Sequence, residues 1–405
     1  LNNYSIDTLI IGGGAAGFFT AINTAERNPT AKIVILERGK EVLTKVRISG
    51  GGRCNVTHAE FIPKDLTKKY PRGEKELLGP FHSFMTGDTI EWFEQRGVAL
   101  KTEEDGRMFP ESDSSQTIIN CFLSEVERLG VEVLLNHSVQ SITKLGDVWE
   151  VVTTQGNFQT KNLVIATGSN PKIWNLLGGL GHTLVAPVPS LFTFNIKDKR
   201  IADLPGVSTQ ASVKVLRTKL SSEGPLLITH WGLSGPAILK LSAWGARELN
   251  ALDYKFTLQV NWLEFLSFDE TVEQLKEIKS DHAKQGVLKF PHFELPKRLW
   301  QSLVTANGID PETKWAELNK NQLHNLANQL TQCQFEVNGK STFKEEFVTA
   351  GGVDLKEINF KTFESKLHKN LYLAGEVLNI DAITGGFNFQ NCWTGGYVVA
   401  RAITE

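Results

Sequence analysis

Two hydrophobic textures alternate along this chain. Asp7 to Ile11 and Lys32 to Leu36 are unbroken apolar runs, the pattern of strands buried on both faces of a parallel sheet. Between them, Ala15 to about Arg27 has helical periodicity, and Asn28-Pro29 stops it. This strand–helix–strand unit predicts a right-handed crossover. Asn162 to Gly168 and Leu371 to Gly375 repeat the buried-strand texture, each ending in a turn. Helical spacing marks Asp88 to Arg96, Ser115 to Leu129 and Asn388 to Ile403, while Val131 to Leu135 and Trp149 to Thr153 alternate as strands. Residues 40–80 read as irregular, around Ser49-Gly50-Gly51-Gly52.

From about Pro187 the texture changes. Leu191 to Ile196, Ser208 to Arg217, Pro225 to His230 and Tyr254 to Val260 are β-rich runs separated by turn residues, which predicts an antiparallel sheet or small barrel. Phe268 to Lys284, Leu295 to Asn307 and Lys314 to Gln332 then read as helices, with Trp300 and Trp315 at core positions, before a closing β segment at Gln334 to Val337. The expected fold class is α/β. A Rossmann-like domain is built from residues 1–188 and 345–405. A β-rich, barrel-like domain of residues 189–264 and 333–344 is inserted into it and carries a small helical domain of residues 265–332.

Composition narrows the function. A net charge of −2, with no block of like charge, speaks against a nucleic-acid partner or a membrane surface. The longest glycine-rich apolar stretch, Thr8 to Ile22, is too short to span a bilayer, and no basic leader precedes the first strand. Four scattered cysteines form neither a disulfide framework nor a ligand set, and the nine histidines do not cluster with acids, so no metal site is expected. These features together predict a cytoplasmic protein.

Gly12-Gly13-Gly14-Ala15-Ala16-Gly17 fits G-x-G-x-x-G directly between a strand and a helix. Gly12 permits the tight turn, Gly14 lets backbone approach a pyrophosphate, and Gly17 lets the helix lie close to the sheet. The first helical amides would hold the phosphates. Glu37, at the end of the next strand, suits ribose hydroxyls and disfavours a 2′-phosphate.

Two further segments argue for a long cofactor, FAD rather than NAD. In Lys45 to Asn55, three consecutive glycines (Gly50, Gly51, Gly52) let backbone pass close to a flat ring, and Arg47 and Arg53 could offset pyrophosphate charge or receive an anionic substrate. In Leu371 to Asn388, a buried strand leads through Glu376 and Asp381 to the Gly385-Gly386 turn and a helix. Asp381 is placed to hold a ribitol hydroxyl. The amides of Gly386, Phe387 and Asn388 would face the flavin edge that gains negative charge on reduction. His230 is the first candidate acid–base group. Cys54, beside Arg53, is a second candidate, with an inert thiol as the alternative. Arg107 is a candidate for a substrate carboxylate or a loop anchor.

Gly12 to Gly17, Ser49 to Asn55, Gly106 to Pro110, Thr229 to Pro236 and Ala374 to Asn388 together resemble the bacterial BaiN-like, or aminoacetone-oxidase-like, FAD-binding oxidoreductases, relatives of the glutathione-reductase and fumarate-reductase flavoproteins. The resemblance runs nearly end to end. It implies FAD bound by the fingerprint, by Glu37 and Arg38, by Ser49 to Asn55, by Val139 near the adenine, by Thr167 and Gly168, and by Asp381 to Asn388. It also implies the inserted barrel-like and helical domains. One position departs from the expected Asn-x-Thr-Asn: Asn55-Val56-Thr57 is followed by His58.

The expected function is an FAD-dependent oxidoreductase acting on a small organic molecule by hydride transfer. One fingerprint, with no second, leaves NAD(P)H without a domain of its own. Either substrate reduces the flavin directly, or NAD(P)H docks transiently and feeds reduction of an unsaturated carbon bond. A flavin-carrying regulatory protein without turnover is the alternative from another class.

Overall fold

The chain divides into two compact units, residues 1–188 with 344–405 and residues 189–343. The computed structural model describes residues 5–341 and 348–405, so the expected boundary near 345 lies outside the described residues.

In the first unit, strand Ser5–Ile11 runs parallel to Ile33–Leu36 on one side and to Asn157–Ile165 on the other. Glu132–Leu134 and Leu371–Leu373 extend the parallel core outward on either side. A strand from near the C-terminal end thus completes the sheet begun at the N-terminal end. The central strands are apolar on both faces because both are covered: Leu9, Ile10, Ile35, Leu163, Val164 and Ile165 are all solvent-free. The helix Ala15–Arg27 packs along the final helix, Phe387–Thr404. They approach closely at Gly396, where a Cβ would lie 3.1 Å from the Ala16 carbonyl oxygen. Phe19, Trp92, Phe122 and Trp393 pack ring against ring beside that crossing. Burying each contributes about 1.5–3 kcal/mol.

Residues 40–80, expected to be irregular, contain helices at Thr44–Gly52, Pro63–Thr67 and Glu74–Phe81. They are short, and the first is broken inside by non-helical Ser49, Gly50 and Gly51. Their apolar periodicity is therefore too brief to register. Leu66, Leu77 and Phe81 nonetheless anchor them in the core.

The second unit is a closed six-stranded barrel: Thr193–Ile196, Gly232–Ser234, Ser221–Ile228, Ser208–Val215, Lys255–Asn261 and Cys333–Ser341, each paired antiparallel with the next. Closure removes the free edges that so many short strands would otherwise expose. The helices Phe268–Asp281, Lys297–Ala306 and Lys320–Thr331 fall between the last two barrel strands. They share one buried core with the barrel, in which Trp300 packs on Trp315 and Trp262 on Phe335.

Candidate functional site

The site grows from two strand-to-helix corners of the first unit. At the first, position 12 must be glycine: its φ is +117°, and a Cβ there would sit 2.3 Å from the carbonyl oxygen of Ala166, just past the neighbouring strand. Gly17 meets the same constraint from the helix side, 2.0 Å from the Gly12 carbonyl oxygen. Gly14 is different. Its backbone is extended (φ −101°, ψ −170°), and a Cβ would touch nothing within 4 Å. Neither strain nor packing demands glycine there, so the space over it is available to a ligand. The amides of Ala15, Ala16 and Gly17 open the helix and have no intrahelical acceptor, which makes the corner an anion cradle.

An open cleft of about 440 Å³ continues from this corner past Gly12, Glu37, Arg38, Val139, Thr167 and Lys172. Glu37 anchors its floor: its carboxylate accepts from the Gly13 amide at 3.0 Å and the Gly39 amide at 2.7 Å. A carboxylate has about four acceptor positions, so two remain for ribose hydroxyls.

At the second corner, Leu371–Leu373 leads through Gly375 to Gly385, Gly386 and the final helix. The two corners meet directly. A Cβ on Gly375 would lie 3.3 Å from both the Ala16 side chain and the Cys392 sulfur. Glu376 pairs with Lys45 at 2.5 Å and accepts from the Thr349 amide at 2.9 Å. It also borders Gly168, where a Cβ would lie 3.4 Å from the Glu376 Oε2.

The loop between Ser49 and His58 holds the second corner in place. Asn55 accepts from the Gly386 amide at 3.0 Å and donates to the carbonyls of Thr57 and Met108. Thr57 donates to Gln390 at 2.6 Å, and Trp393 donates to the Val56 carbonyl at 2.9 Å. Tyr70 donates to the Phe387 carbonyl at 2.6 Å from a fully buried position.

Each remaining sequence-derived residue has a defined place. Asp381 is fully buried, with both carboxylate oxygens accepting from Arg72. Asn388 clamps Ala382 through its amide at 3.0 Å and its carbonyl at 3.2 Å. Arg53 pairs with Glu103 at 2.7 Å and lies 3.9 Å over the Phe109 ring. Arg107 pairs with Asp105 and Glu103, and Arg47 donates to Gln116. Cys54 is buried at a positive φ of 61°. Burial pushes its thiol up to about 12, so it is protonated near neutral pH. All four cysteines are free thiols. His230 belongs to the other unit. With Trp231 it forms the exposed tip of a hairpin closed by Thr229 and Gly232, whose backbones bond at 2.8 Å.

A protein family described as the HI0933-like protein Rossmann domain matches residues 6–402. The chain belongs to that family. Over 422 residues, all of both chains, it is 30% identical to a ribosomal RNA dihydrouridine synthase of Haemophilus influenzae. It is 28% identical to a 3-dehydro-bile acid delta(4,6)-reductase of Clostridium scindens, covering 98% of each. Among solved structures, a 3-ketosteroid-delta4-(5alpha)-dehydrogenase of Rhodococcus jostii RHA1 shares the fold, with a TM-score of 0.53 at 12% identity over 100% of this chain and 97% of that one.

The family is one of FAD-binding oxidoreductases, and FAD is the cofactor. The residues present fit it. Gly14 leaves open the space a pyrophosphate would take, and Glu37 keeps acceptors toward the cleft. A further acceptor waits at the second corner: the Asn379 side-chain oxygen is buried without a partner among the described residues. No helix among the described residues is long and apolar enough to cross a membrane. Sequence reasoning missed Arg72, Tyr70 and Asn379. Arg72 stands 309 positions from the carboxylate it neutralises, and no local pattern announces such a pair.

Proposed function

We propose that this chain is an FAD-dependent reductase of a carbon–carbon double bond conjugated to a carbonyl. The supporting observation is the chemistry shared by relatives that match along their whole length. Forming dihydrouridine adds hydrogen across the ring double bond conjugated to a uracil carbonyl. A delta(4,6)-reductase of a 3-dehydro-bile acid adds it across bonds conjugated to a 3-oxo group. Conjugation to the carbonyl makes such a bond open to hydride at its end remote from the carbonyl and to a proton at its other end.

FAD, when bound, supplies the hydride-transferring ring. The protein's own residues position that group and manage the proton. The amides of the first corner and Glu37 would hold its phosphates and ribose, and Lys45–Glu376 with the Asn55–Gly386 bond would keep the second corner rigid. His230 is the proposed proton donor, on the chemistry of its imidazole alone. A single fingerprint leaves NAD(P)H as a transient hydride donor. The substrate class is a small conjugated ketone, in keeping with a net charge of −2. The uracil ring of an RNA is the second substrate arm, favoured by the name of the relative from Haemophilus influenzae.

The test is anaerobic. Holoprotein reduced with NADPH or dithionite is mixed with a 3-oxo-Δ4 steroid and, separately, with a uridine-containing RNA. Return of oxidised-flavin absorbance with a saturated product supports the proposal and chooses between the arms. If neither acceptor reoxidises the flavin, while amines or alcohols reduce it and oxygen restores it with peroxide release, the chain is an oxidase and the proposal fails.

A further inference from the structure

The first turn of the final helix is gripped from outside, and the grip centres on His58. Its Nδ1 lies 3.1 Å from the carbonyl oxygen of Gly385. A carbonyl only accepts, so Nδ1 carries the hydrogen and donates it, and Nε2 bears the lone pair. The ring lies 4.5 Å from that of Phe387, tilted by 32°. Gly106 covers it from the adjoining strand: a Cβ there would fall 2.6 Å from Nε2 and 3.0 Å from Cε1. This contact explains why the Gly106–Pro110 segment opens on glycine. The imidazole is thus fixed by a hydrogen bond and two packing partners, all belonging to one compact unit, and Nε2 is the nitrogen that takes up the second proton.

We propose that His58 is a positioning residue that couples the flavin-facing turn to pH: neutral, it holds the Gly385 carbonyl in place; protonated at Nε2, it adds positive charge beside that turn. This rests on the reading that the FAD ring lies at the second corner. The charge favours the negative charge that reduction places on the ring, so the midpoint potential gains a pH-dependent contribution. Partial burial holds the imidazole below its ordinary value, and nearby Lys69 acts in the same direction. The Gly385 bond, Asp105 and Glu60 act in the opposite direction. Arg107 sits across the strand pair from His58 and is itself paired with Asp105 and Glu103. Protonation therefore falls on the acid side of neutrality.

Two substitutions separate the roles. His58→Asn keeps a nitrogen at the δ position that can donate to Gly385, but it removes the titrating Nε2. His58→Phe keeps a ring against Phe387 and Gly106 and removes both donor and charge. Measured on holoprotein by spectroelectrochemistry across pH, the wild type should show a bend on the acid side that both variants lack. FAD affinity should be within about twofold of wild type for His58→Asn and about tenfold weaker for His58→Phe, the effect of one lost hydrogen bond to a part-buried carbonyl. A wild-type curve without the bend overturns this inference alone. So does a His58→Phe protein that matches wild type in both affinity and potential. A wild-type protein that takes up no FAD overturns the cofactor reading and this inference with it.

Discussion

Replacing Gly14 by valine should deprive the protein of flavin without unfolding it. The backbone there is already extended at φ −101°, and a Cβ meets nothing within 4 Å. Losing glycine at a helix N-cap costs about 0.5–1 kcal/mol, and stiffening the unfolded chain returns about 0.4–1 kcal/mol. The fold should therefore change by less than about 1 kcal/mol. The cofactor faces a different sum. Two charge-assisted hydrogen bonds from first-turn amides to a phosphate contribute about 1.5–3 kcal/mol each, so blocking the approach weakens FAD by roughly 10²–10⁴-fold. Titrating apoprotein with FAD by fluorescence measures the affinity, and a thermal melt of the same apoprotein measures the fold. Gly12→Ala is the contrast: at φ +117°, with a Cβ 2.3 Å from the Ala166 oxygen, it should cost the fold itself about 2–5 kcal/mol. A Gly14→Val protein with wild-type affinity would refute the phosphate placement. Equal melting losses in the two variants would refute the claim that Gly14 is free of structural duty.

Other residues give sharp outcomes. Arg72→Ala leaves the buried Asp381 carboxylate without its guanidinium, and denaturant unfolding should show a loss of about 3–5 kcal/mol. Cys54, its thiol held at about 12, should resist iodoacetamide near neutral pH until the protein is denatured, and Cys54→Ala should keep its turnover; rapid labelling of the folded protein would reinstate it as a reactive group. The His182 side chain is buried between Glu357 at 2.9 Å and Ser365 at 3.1 Å, and desolvation lowers its pKa below the ordinary 6.5. As pH falls, the unfolded chain binds that proton before the folded one does. Its contribution to stability is therefore whole above about 6.5 and declines below it. His182→Asn, which can still donate toward Glu357, should flatten the acid limb of a stability–pH curve.

What the sequence revealed followed from constraints that act over a few residues. The fingerprint was legible because its glycines sit at fixed spacing between a strand and a helix, and the barrel because the β-rich runs Ser208 to Arg217 and Pro225 to His230 overlap the strands Ser208–Val215 and Ser221–Ile228, whose burial alternates along part of their length. The helices between residues 40 and 80 were not. Pro63–Thr67 spans 5 residues and Glu74–Phe81 spans 8, too few turns for a stripe to emerge, and both are stabilised by distant partners. The same limit hid Arg72, Tyr70 and Asn379. Tyr70 reads locally as an ordinary aromatic, yet its hydroxyl serves a carbonyl 317 positions away. His58 was visible as a departure from an expected asparagine, but its contact with Gly385 belongs to the tertiary fold.

The charged residues of the site carry a further lesson. Arginines near a glycine-rich loop invite the inference that they bind phosphate, yet Arg47 alone of them has a neutral partner, Gln116, and the others are held in ion pairs. Arg53 is held by Glu103 and stacked on Phe109, Arg107 by Asp105 and Glu103, Arg72 by Asp381, and Lys45 by Glu376. Freeing any of them would break a pair that positions a loop, and for Arg72 it would take the guanidinium from a carboxylate in the core. The first-turn amides of the two helices, by contrast, are left unsatisfied by helix geometry itself. A phosphate cradle made of backbone amides needs no particular side chain, only residues small enough to leave the amides exposed. That is why the glycine pattern, rather than the arginine pattern, carried the information about the cofactor.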